Sequence, residues 1–249
     1  MLMKSILLKF LPAACAVALL TPLHAEQTLD QKALASLKRM SNTLAGAKAF
    51  TYQSRTISEV PAKTGQFLTL FSTADVALKR PDKLRAHLTG EAPHFDFYYD
   101  GTTAAAFAPA TNVYSISKAP ANIDEMLAGL EQETGIRFAS AGLLFSDPYK
   151  VLTKGLKSAL FVGPSAVNGT PCDHLAFRSD GVNWEIWVES GSRALPLRLA
   201  ATYTDRPNLP RTIVEFSRWN LHPGLRPGDF IFRKPADSRE IPFLSVLKS

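Results

Sequence analysis

The chain contains only two cysteines, Cys15 and Cys172. The first lies in an N-terminal segment that we expect to be removed, which leaves one cysteine and no possibility of an internal disulfide. The fold must therefore depend on a hydrophobic core. A chain of 249 residues, 46% hydrophobic and 20% charged, has a globular composition and enough length to bury such a core in one domain.

No uncharged apolar run approaches the length of about 20 residues that a membrane-spanning helix needs. The main one, Phe10 to Pro22, follows two lysines and precedes a small residue, Ala25. This order of basic, apolar and small residues is typical of a secretory signal peptide. We predict that residues 1–25 are removed, that residues 26–249 form one domain in the periplasm, and that the mature chain has no transmembrane segment.

A lipid anchor on Cys15 is the alternative to cleavage after Ala25. Lipid attachment needs a box of small residues directly before the cysteine, usually opened by leucine. Here the box is "PAAC" and is opened by Pro12. Cleavage after Ala25 is therefore the favoured interpretation.

Basic residues are in excess but are not clustered. The formal net charge is +6, yet no run of four lysines or arginines occurs. A nucleic-acid groove would require clustered basic residues with interleaved aromatics. We therefore expect no nucleic-acid partner, and at most a weak attraction to anionic lipid headgroups.

The motifs of the common catalytic classes are missing as well. The sequence has no G-x-S-x-G, no H-E-x-x-H and no phosphate-binding glycine loop. His87, His94, His174 and His222 are isolated, and Cys172 lies only two residues from His174 on a predicted strand. Zinc needs three or four protein ligands, and a nucleophilic pair needs mutual hydrogen-bond contact. We expect no catalytic residue, no metal site and no cofactor.

Three segments have the period of an amphipathic helix. The first starts after Asp30, which is suited to cap it, and ends near Gly46. The second covers residues 122–134, with Asn122 or Asp124 as its cap, and a shorter third one follows Pro148. The apolar stripe of the first helix comprises Leu29, Ala33, Leu37, Met40 and Leu44, and that of the second comprises Ile123, Met126, Leu127 and Leu130.

Most of the remaining chain alternates with a period of two and predicts strands joined by tight turns. Asp100-Gly101 and Asp180-Gly181 are suited to tight hairpin turns, and Pro196 indicates an edge position or a bulge. The order of helix, strands, two helices and strands is typical of the α+β class. Strands are predicted at residues 49–60, 66–80, 83–90, within 94–117 as three short strands, 158–164, 174–178, 183–189, 195–199, 198–204, 211–221 and 229–235.

The segment "HLAFRSDGVNWEIWVESGSRALPLRL", residues 174–199, is the densest in aromatic and charged residues. Alternation places Trp184, Ile186 and Val188 on an apolar face and Trp187 among charged neighbours on the other. This pattern predicts a β-meander with one apolar and one charged face. We interpret Trp187 as an exposed packing or cation–π residue.

Three stretches of the chain resemble a known family. They are "RPDKLRAHLTG", "FDFYYDGTTAAAFAPATNVYSISKAPANIDEML" and "CDHLAFRSDGVNWEIWVESGSRALPLRLAATY". Together they resemble a family of uncharacterised predicted periplasmic proteins with a domain of unknown function, from about Ala33 to Phe232. The block "WEIWVESGSRALPLRL" is also similar to the segment of periplasmic lipoprotein carriers of the LolA and LolB type in which a tryptophan-bearing strand precedes a proline-marked strand.

The resemblance implies an α+β fold in which a twisted antiparallel sheet forms an incomplete half β-barrel with helices on its concave face. It implies an apolar cavity for acyl chains and brings no catalytic residues. From strand parity and the stripe of the second helix, we expect that helix either to complete the core or to act as a lid over a cavity. The candidate cavity residues are Phe50, Tyr52, Leu68, Leu70, Ile123, Met126, Leu127, Leu130, Trp184 and Ile186.

Two functions fit these expectations. The leading hypothesis is a non-enzymatic periplasmic binding or carrier protein for a lipidic or other hydrophobic ligand, such as a lipid or a lipoprotein acyl chain. The alternative is an envelope protein-interaction or sensing module with a self-filled core, which would bind a protein partner through a sheet edge or the face around Trp187.

Overall fold

The computed structural model describes residues 28–91, 94–134 and 139–242, so the predicted signal segment 1–25 lies outside the described residues. The fold is α+β, with three α-helices and twelve strands in the described ranges. None of the helices in these ranges is long and apolar enough to cross a membrane. The elements are α1 Gln31–Gly46, β1 Ala49–Pro61, β2 Phe67–Lys79, β3 Lys83–Gly90, β4 Phe95–Tyr99, β5 Thr103–Ala108, β6 Val113–Lys118, α2 Ile123–Thr134, α3 Pro148–Leu152, β7 Leu156–Val167, β8 Thr170–Ser179, β9 Val182–Glu189, β10 Pro196–Tyr203, β11 Arg211–Asn220 and β12 Arg239–Glu240.

All twelve strands belong to one sheet, in the order β12-β6-β5-β4-β3-β2-β1-β11-β10-β9-β8-β7. Every neighbouring pair is antiparallel except β12 and β6, which are parallel. The outermost strands β12 and β7 do not pair with each other, so the sheet does not close into a barrel. The predicted incomplete half-barrel is confirmed.

Helix α1 forms where the sequence places four apolar residues on one side. Asp30 caps it by accepting a hydrogen bond from the Lys32 N–H at 2.8 Å. The same carboxylate accepts the Phe161 N–H at 3.1 Å and so fixes the helix to β7. The apolar stripe of Ala33, Leu37, Met40 and Leu44 is fully buried. Leu29, which we expected on that stripe, precedes the helix and is 45% exposed.

Helix α2 begins one residue after its predicted start, because Asn122 is the cap. The Asn122 side chain accepts a hydrogen bond from the Glu125 N–H at 2.9 Å. The Ile123 N–H donates to the Pro81 carbonyl at 2.9 Å, which attaches this end of the helix to the β2–β3 turn. Ile123 and Met126 are buried, so the apolar side of α2 faces the interior as predicted. The third predicted helix is a single short turn, α3, capped by Asp147.

The charged outer face of the 174–199 meander is confirmed. The His174 and Trp187 rings stack with centroids 4.1 Å apart, and the Arg198 guanidinium lies 5.4 Å from the Trp187 centroid. Arg198 also forms two hydrogen bonds with Glu215 on β11, at 2.9 and 2.5 Å. Pro196 begins the central strand β10 at a register shift, so it marks a bulge and not an edge.

The strand predicted at residues 229–235 is wrong. Pro227 begins a 3-10 turn, Pro227–Phe230, which takes up the start of the predicted strand, and the chain then runs irregularly to Pro235, which has no N–H for a ladder. Its alternating aromatics pack on the outer face of the sheet instead: the Phe232 ring lies 5.5 Å from that of Tyr114. The Arg85 guanidinium donates to the Asp229 carbonyl at 3.3 Å and fixes the segment across β3.

Candidate functional site

The concave face of the sheet is covered by a helical roof, which we define as α2 together with residues 139–147. The roof is not packed against the sheet everywhere. Two apolar cavities remain between them, one over β1–β4 and one over β8–β10.

The smaller cavity, about 110 Å³, lies over β1–β4. Its space comes from small side chains on the floor: Ser54 and Thr56 on β1, Ala74 opposite Ser54 on β2, and Ala86 on β3. Larger side chains at these positions would fill the gap between floor and roof. The remaining lining residues are Tyr52, Val76, Leu84, Leu88, Phe95 and Phe97 from the sheet and Leu127, Leu130, Ser140, Ala141 and Leu144 from the roof.

The larger cavity, about 540 Å³, lies over the meander. Its floor includes Trp184, whose ring stacks on Phe177 at 4.2 Å, and the adjacent Ala201. The small side chain of Ala201 leaves room above β10. The other lining residues are Ser179, Asp180, Val182, Leu199 and Tyr203 from the sheet side, and Leu127, Leu130, Glu131, Ala139, Ala141, Gly142, Phe145, Val151, Leu152, Lys154 and Gly155 from the roof side and α3.

Three roof residues, Leu127, Leu130 and Ala141, line both cavities. They are the side chains that separate the two spaces. A small displacement of this part of the roof would therefore join the two cavities into one.

Arg80 holds the roof in place from the β2–β3 turn. Its guanidinium donates hydrogen bonds to the carbonyls of Leu144 at 3.2 Å and Phe145 at 2.9 Å. Burial lowers the pKa of Arg80, and the nearby Asp124 carboxylate opposes that shift. Asp124 in turn accepts hydrogen bonds from the N–H and hydroxyl of Ser146, at 2.8 and 2.5 Å. The turn, α2 and the end of the roof are thus joined through one half-buried cation.

A second contact joins the floor to the roof inside the smaller cavity. The Tyr52 side chain on β1 has a polar contact with the Ser140 side chain of the roof. Burial raises the pKa of Tyr52 well above its ordinary value. The phenol is therefore neutral at physiological pH and can take part in this polar contact within an apolar wall.

The ten predicted cavity residues fall into three groups. Tyr52, Leu127, Leu130 and Trp184 line the cavities. Phe50, Ile123, Met126 and Ile186 are buried in the core beside them and line neither of the two.

Leu68 and Leu70 form the third group and do not line either cavity. Both share the expected face of β2, but β3 pairs with β2 only from Ser72 onward and the roof does not reach this end of the hairpin. Leu68 is accordingly 44% exposed, and Leu70 is half-buried.

Sequence reasoning missed the small floor residues and the roof segment 139–147. A run of Ser, Thr and Ala on an apolar strand face is the signal that could have located the floor, because such positions leave space that large side chains would fill. The roof segment has no periodicity and is held by Arg80, so no local pattern indicates it.

Cys172 and His174 contact different groups in the structure. Cys172 is buried, and burial raises the pKa of its thiol. His174 contacts Glu185 at 2.9 Å on the outer face. Within residues 28–91, 94–134 and 139–242, no group of three or more His, Cys, Asp or Glu side chains is placed to hold a metal ion.

Solved structures with a similar arrangement include the lipoprotein LppX of Mycobacterium tuberculosis, at 13% identity over 77% of this chain and 96% of that one, with a TM-score of 0.48. An uncharacterised conserved protein of Thermus thermophilus matches at 14% identity over 85% of this chain and 99% of that one, also with a TM-score of 0.48. A LolA superfamily protein of Nitrosomonas europaea matches at 9% identity over 80% and 97%, with a TM-score of 0.42.

A comparison with curated proteins gives no match. A family model does match, over residues 33–244, and this range includes the whole sheet, the roof and both cavities. Its description is "predicted periplasmic protein (DUF2092)". The chain belongs to this family of predicted periplasmic proteins.

Proposed function

We propose that the protein is a periplasmic, non-enzymatic binding or carrier protein for a lipidic or other hydrophobic ligand. The observation that supports this proposal is the pair of apolar cavities beneath the roof. Ligand sites are typically concave, mainly apolar and roughly 300–1,000 Å³ in volume. The larger cavity, at about 540 Å³, falls in that range.

The lining favours an apolar chain over a polar small molecule. Leucine and alanine are the most frequent lining residues of both cavities, joined by Phe145 and Trp184 in the larger one and by Phe95 and Phe97 in the smaller one. Transfer of a methylene group from water to such surroundings is favourable by about 0.8 kcal/mol. A saturated chain would therefore gain affinity with each group that enters.

The structure of the roof supports entry of a ligand by local opening. Three side chains separate the cavities, and residues 139–142 of the roof are only partly buried, whereas Leu143 and Leu144 pack in the core. Segments held by few contacts open at lower free energy than the core. We propose that the roof acts as the lid.

The test is a titration with a fluorescent fatty acid, comparing Ala141→Leu with Ala166→Leu. Ala141 borders both cavities, so a larger side chain there would occupy ligand space. Ala166 is exposed on β7 and serves as a control with the same chemical change. We expect Ala141→Leu to weaken binding at least tenfold and Ala166→Leu to leave it unchanged.

Absence of binding to the wild-type protein would contradict the proposal, provided that circular dichroism shows a folded protein. Equal affinity of both variants would place the ligand elsewhere and would also contradict it.

A protein-interaction module is the second candidate, and the outer face of β7 favours it. Leu160 and Val162 are 55% and 50% exposed on this edge strand. Exposed apolar residues on an edge strand are common features of protein-binding surfaces. Native mass spectrometry of the protein purified from the periplasm separates the two candidates: a co-purifying lipid mass supports the carrier, and a lipid-free protein bound to a partner supports the module.

A further inference from the structure

A third cavity, about 1,160 Å³, adjoins the larger apolar cavity beside α3. The two share four lining residues, Glu131, Phe145, Val151 and Lys154. Unlike its neighbour, this space is bordered mainly by polar and charged side chains. We call it the charged mouth; its other lining residues are Asp124, Ala128, Gln132, Ser146, Asp147, Lys150, Asp205 and Arg206.

The acids of the charged mouth are already engaged within the protein. Asp124 accepts two hydrogen bonds from Ser146, at 2.8 and 2.5 Å. Asp147 accepts the Lys150 N–H at 3.0 Å as the cap of α3. Glu131 and Asp205 have interaction partners too. These carboxylates are therefore held by the fold.

The basic side chains of the charged mouth differ from its acids in their interactions. Lys150 and Lys154 are exposed, and across the described part of the chain their ammonium groups have neither a hydrogen bond nor an ion pair. The Arg206 guanidinium lies 4.9 Å above the Tyr203 ring, and in those same ranges it has no carboxylate partner. Three positive side chains thus surround one opening and can take an anion.

Two of the residues connect this opening to the apolar space. Lys154 lines both the larger apolar cavity and the charged mouth. Its aliphatic stem can lie along an apolar wall while its ammonium group remains in water. Tyr203 lines the larger apolar cavity and carries Arg206 on its ring. An apolar chain that fills the larger cavity would therefore leave its end among these cations.

We infer that the ligand is an amphiphile with an anionic head group, whose chain occupies the larger cavity and whose carboxylate or phosphate lies between Lys150, Lys154 and Arg206. The inference rests on the proposed function, because it assigns the polar end of the same ligand. Charge-assisted hydrogen bonds to lysine and arginine are the usual way in which proteins hold such groups.

The test uses three probes with the same brominated saturated chain: a fatty acid, an alkyl monophosphate and a fatty alcohol. Bromine quenches a tryptophan that it contacts, and Trp184 lines the larger cavity, so quenching reports occupancy. The proteins are the wild type, the variant K150Q/K154Q/R206Q and the control K63Q/K118Q/R233Q. The control makes the same change of charge at exposed positions outside the described cavities.

We expect at least one anionic probe to bind the wild type roughly tenfold more tightly than the alcohol at low salt, as three partly exposed ion pairs allow. The mouth variant should lose this preference and keep the affinity for the alcohol, and the control should behave as the wild type. The anionic probe that binds more tightly identifies the head group as carboxylate or phosphate.

Equal quenching by all three probes would overturn the inference and leave the proposed function standing. Absence of quenching by any of them in folded protein would overturn both. A preference for anions that survives in the mouth variant would also contradict the assignment.

Discussion

Replacing Arg80 with methionine should loosen the roof without removing the apolar stem of the side chain. The guanidinium forms two good hydrogen bonds, at 3.2 Å to the Leu144 carbonyl and 2.9 Å to the Phe145 carbonyl, and a weaker one at 3.4 Å to the Leu44 carbonyl. Hydrogen bonds to charged groups contribute about 1.5–3 kcal/mol each, so the two good ones sum to roughly 3–6 kcal/mol.

Two costs of the buried guanidinium offset part of this stabilisation. Burial lowers the pKa of Arg80, which shows that its charge is partly desolvated. Its Nε is also buried without a partner in the residues that the structure describes, and an unpaired buried donor costs about 1–3 kcal/mol. Taking the middle of each range, about 4.5 kcal/mol less about 2 kcal/mol, the net loss of unfolding free energy in Arg80→Met should be about 2–3 kcal/mol.

The assay is thermal unfolding together with hydrogen exchange. A loss of about 2–3 kcal/mol lowers the melting temperature by roughly 4–12 °C in a chain of this size. Exchange should quicken first at the amides of Leu143 and Leu144, which donate within the roof turn. Arg178→Met is the control, because Arg178 is exposed on the outer face and should change stability by less than about 0.5 kcal/mol. An Arg80→Met protein as stable as the control, with unchanged exchange in the roof, would refute this account of the roof.

Three further predictions rest on the structure, and a fourth rests on the N-terminal sequence. Leu127→Asp places a carboxylate between the two cavities and should cost more than about 3 kcal/mol by urea unfolding; an unchanged midpoint would contradict its burial. Burial, reinforced by nearby carboxylates, raises the pKa of Tyr99 to about 12, so stability should fall as pH rises from 10 towards 12, and Tyr99→Phe should flatten that decline in a pH series of melting curves. The Cys172 thiol should react slowly with a thiol reagent until the protein unfolds, because it is buried with a raised pKa, and Cys172→Ser should retain the fold; rapid labelling of native protein would show otherwise. N-terminal sequencing of the exported protein should begin at Glu26, whereas a lipid-modified Cys15 at the start would contradict the predicted cleavage.

Much of the architecture could be predicted because each element carries a local signal. The stripe of α1 and its cap Asp30 appear in the sequence with helical spacing, and Asp100-Gly101 and Asp180-Gly181 lie at the turns that they predict. Strand parity placed Trp184 inward and Trp187 outward correctly, because the side-chain period of a strand is two.

The wrong predictions concern residues whose positions are determined by tertiary contacts. Leu68 has the right parity to face the interior, but a strand pattern does not show where the roof ends. Phe230 and Phe232 alternate as in a strand, yet Phe230 lies in a 3-10 turn and the Phe232 ring packs on the outer face of the existing sheet. The cavity floor was missed because small side chains create the space there. Hydrophobic periodicity identifies positions with large apolar side chains and does not identify such small ones.

The most direct test of a ligand cavity beneath the roof is photocrosslinking with a fatty acid that carries a diazirine on its chain, followed by peptide mapping. If the ligand lies beneath the roof, adducts form on roof and floor peptides that line the larger cavity, around Leu127 and Trp184, and they are lost in competition with unmodified fatty acid or in Ala141→Leu. Adducts confined to the outer face of the sheet, around Leu160 or Trp187, would contradict it.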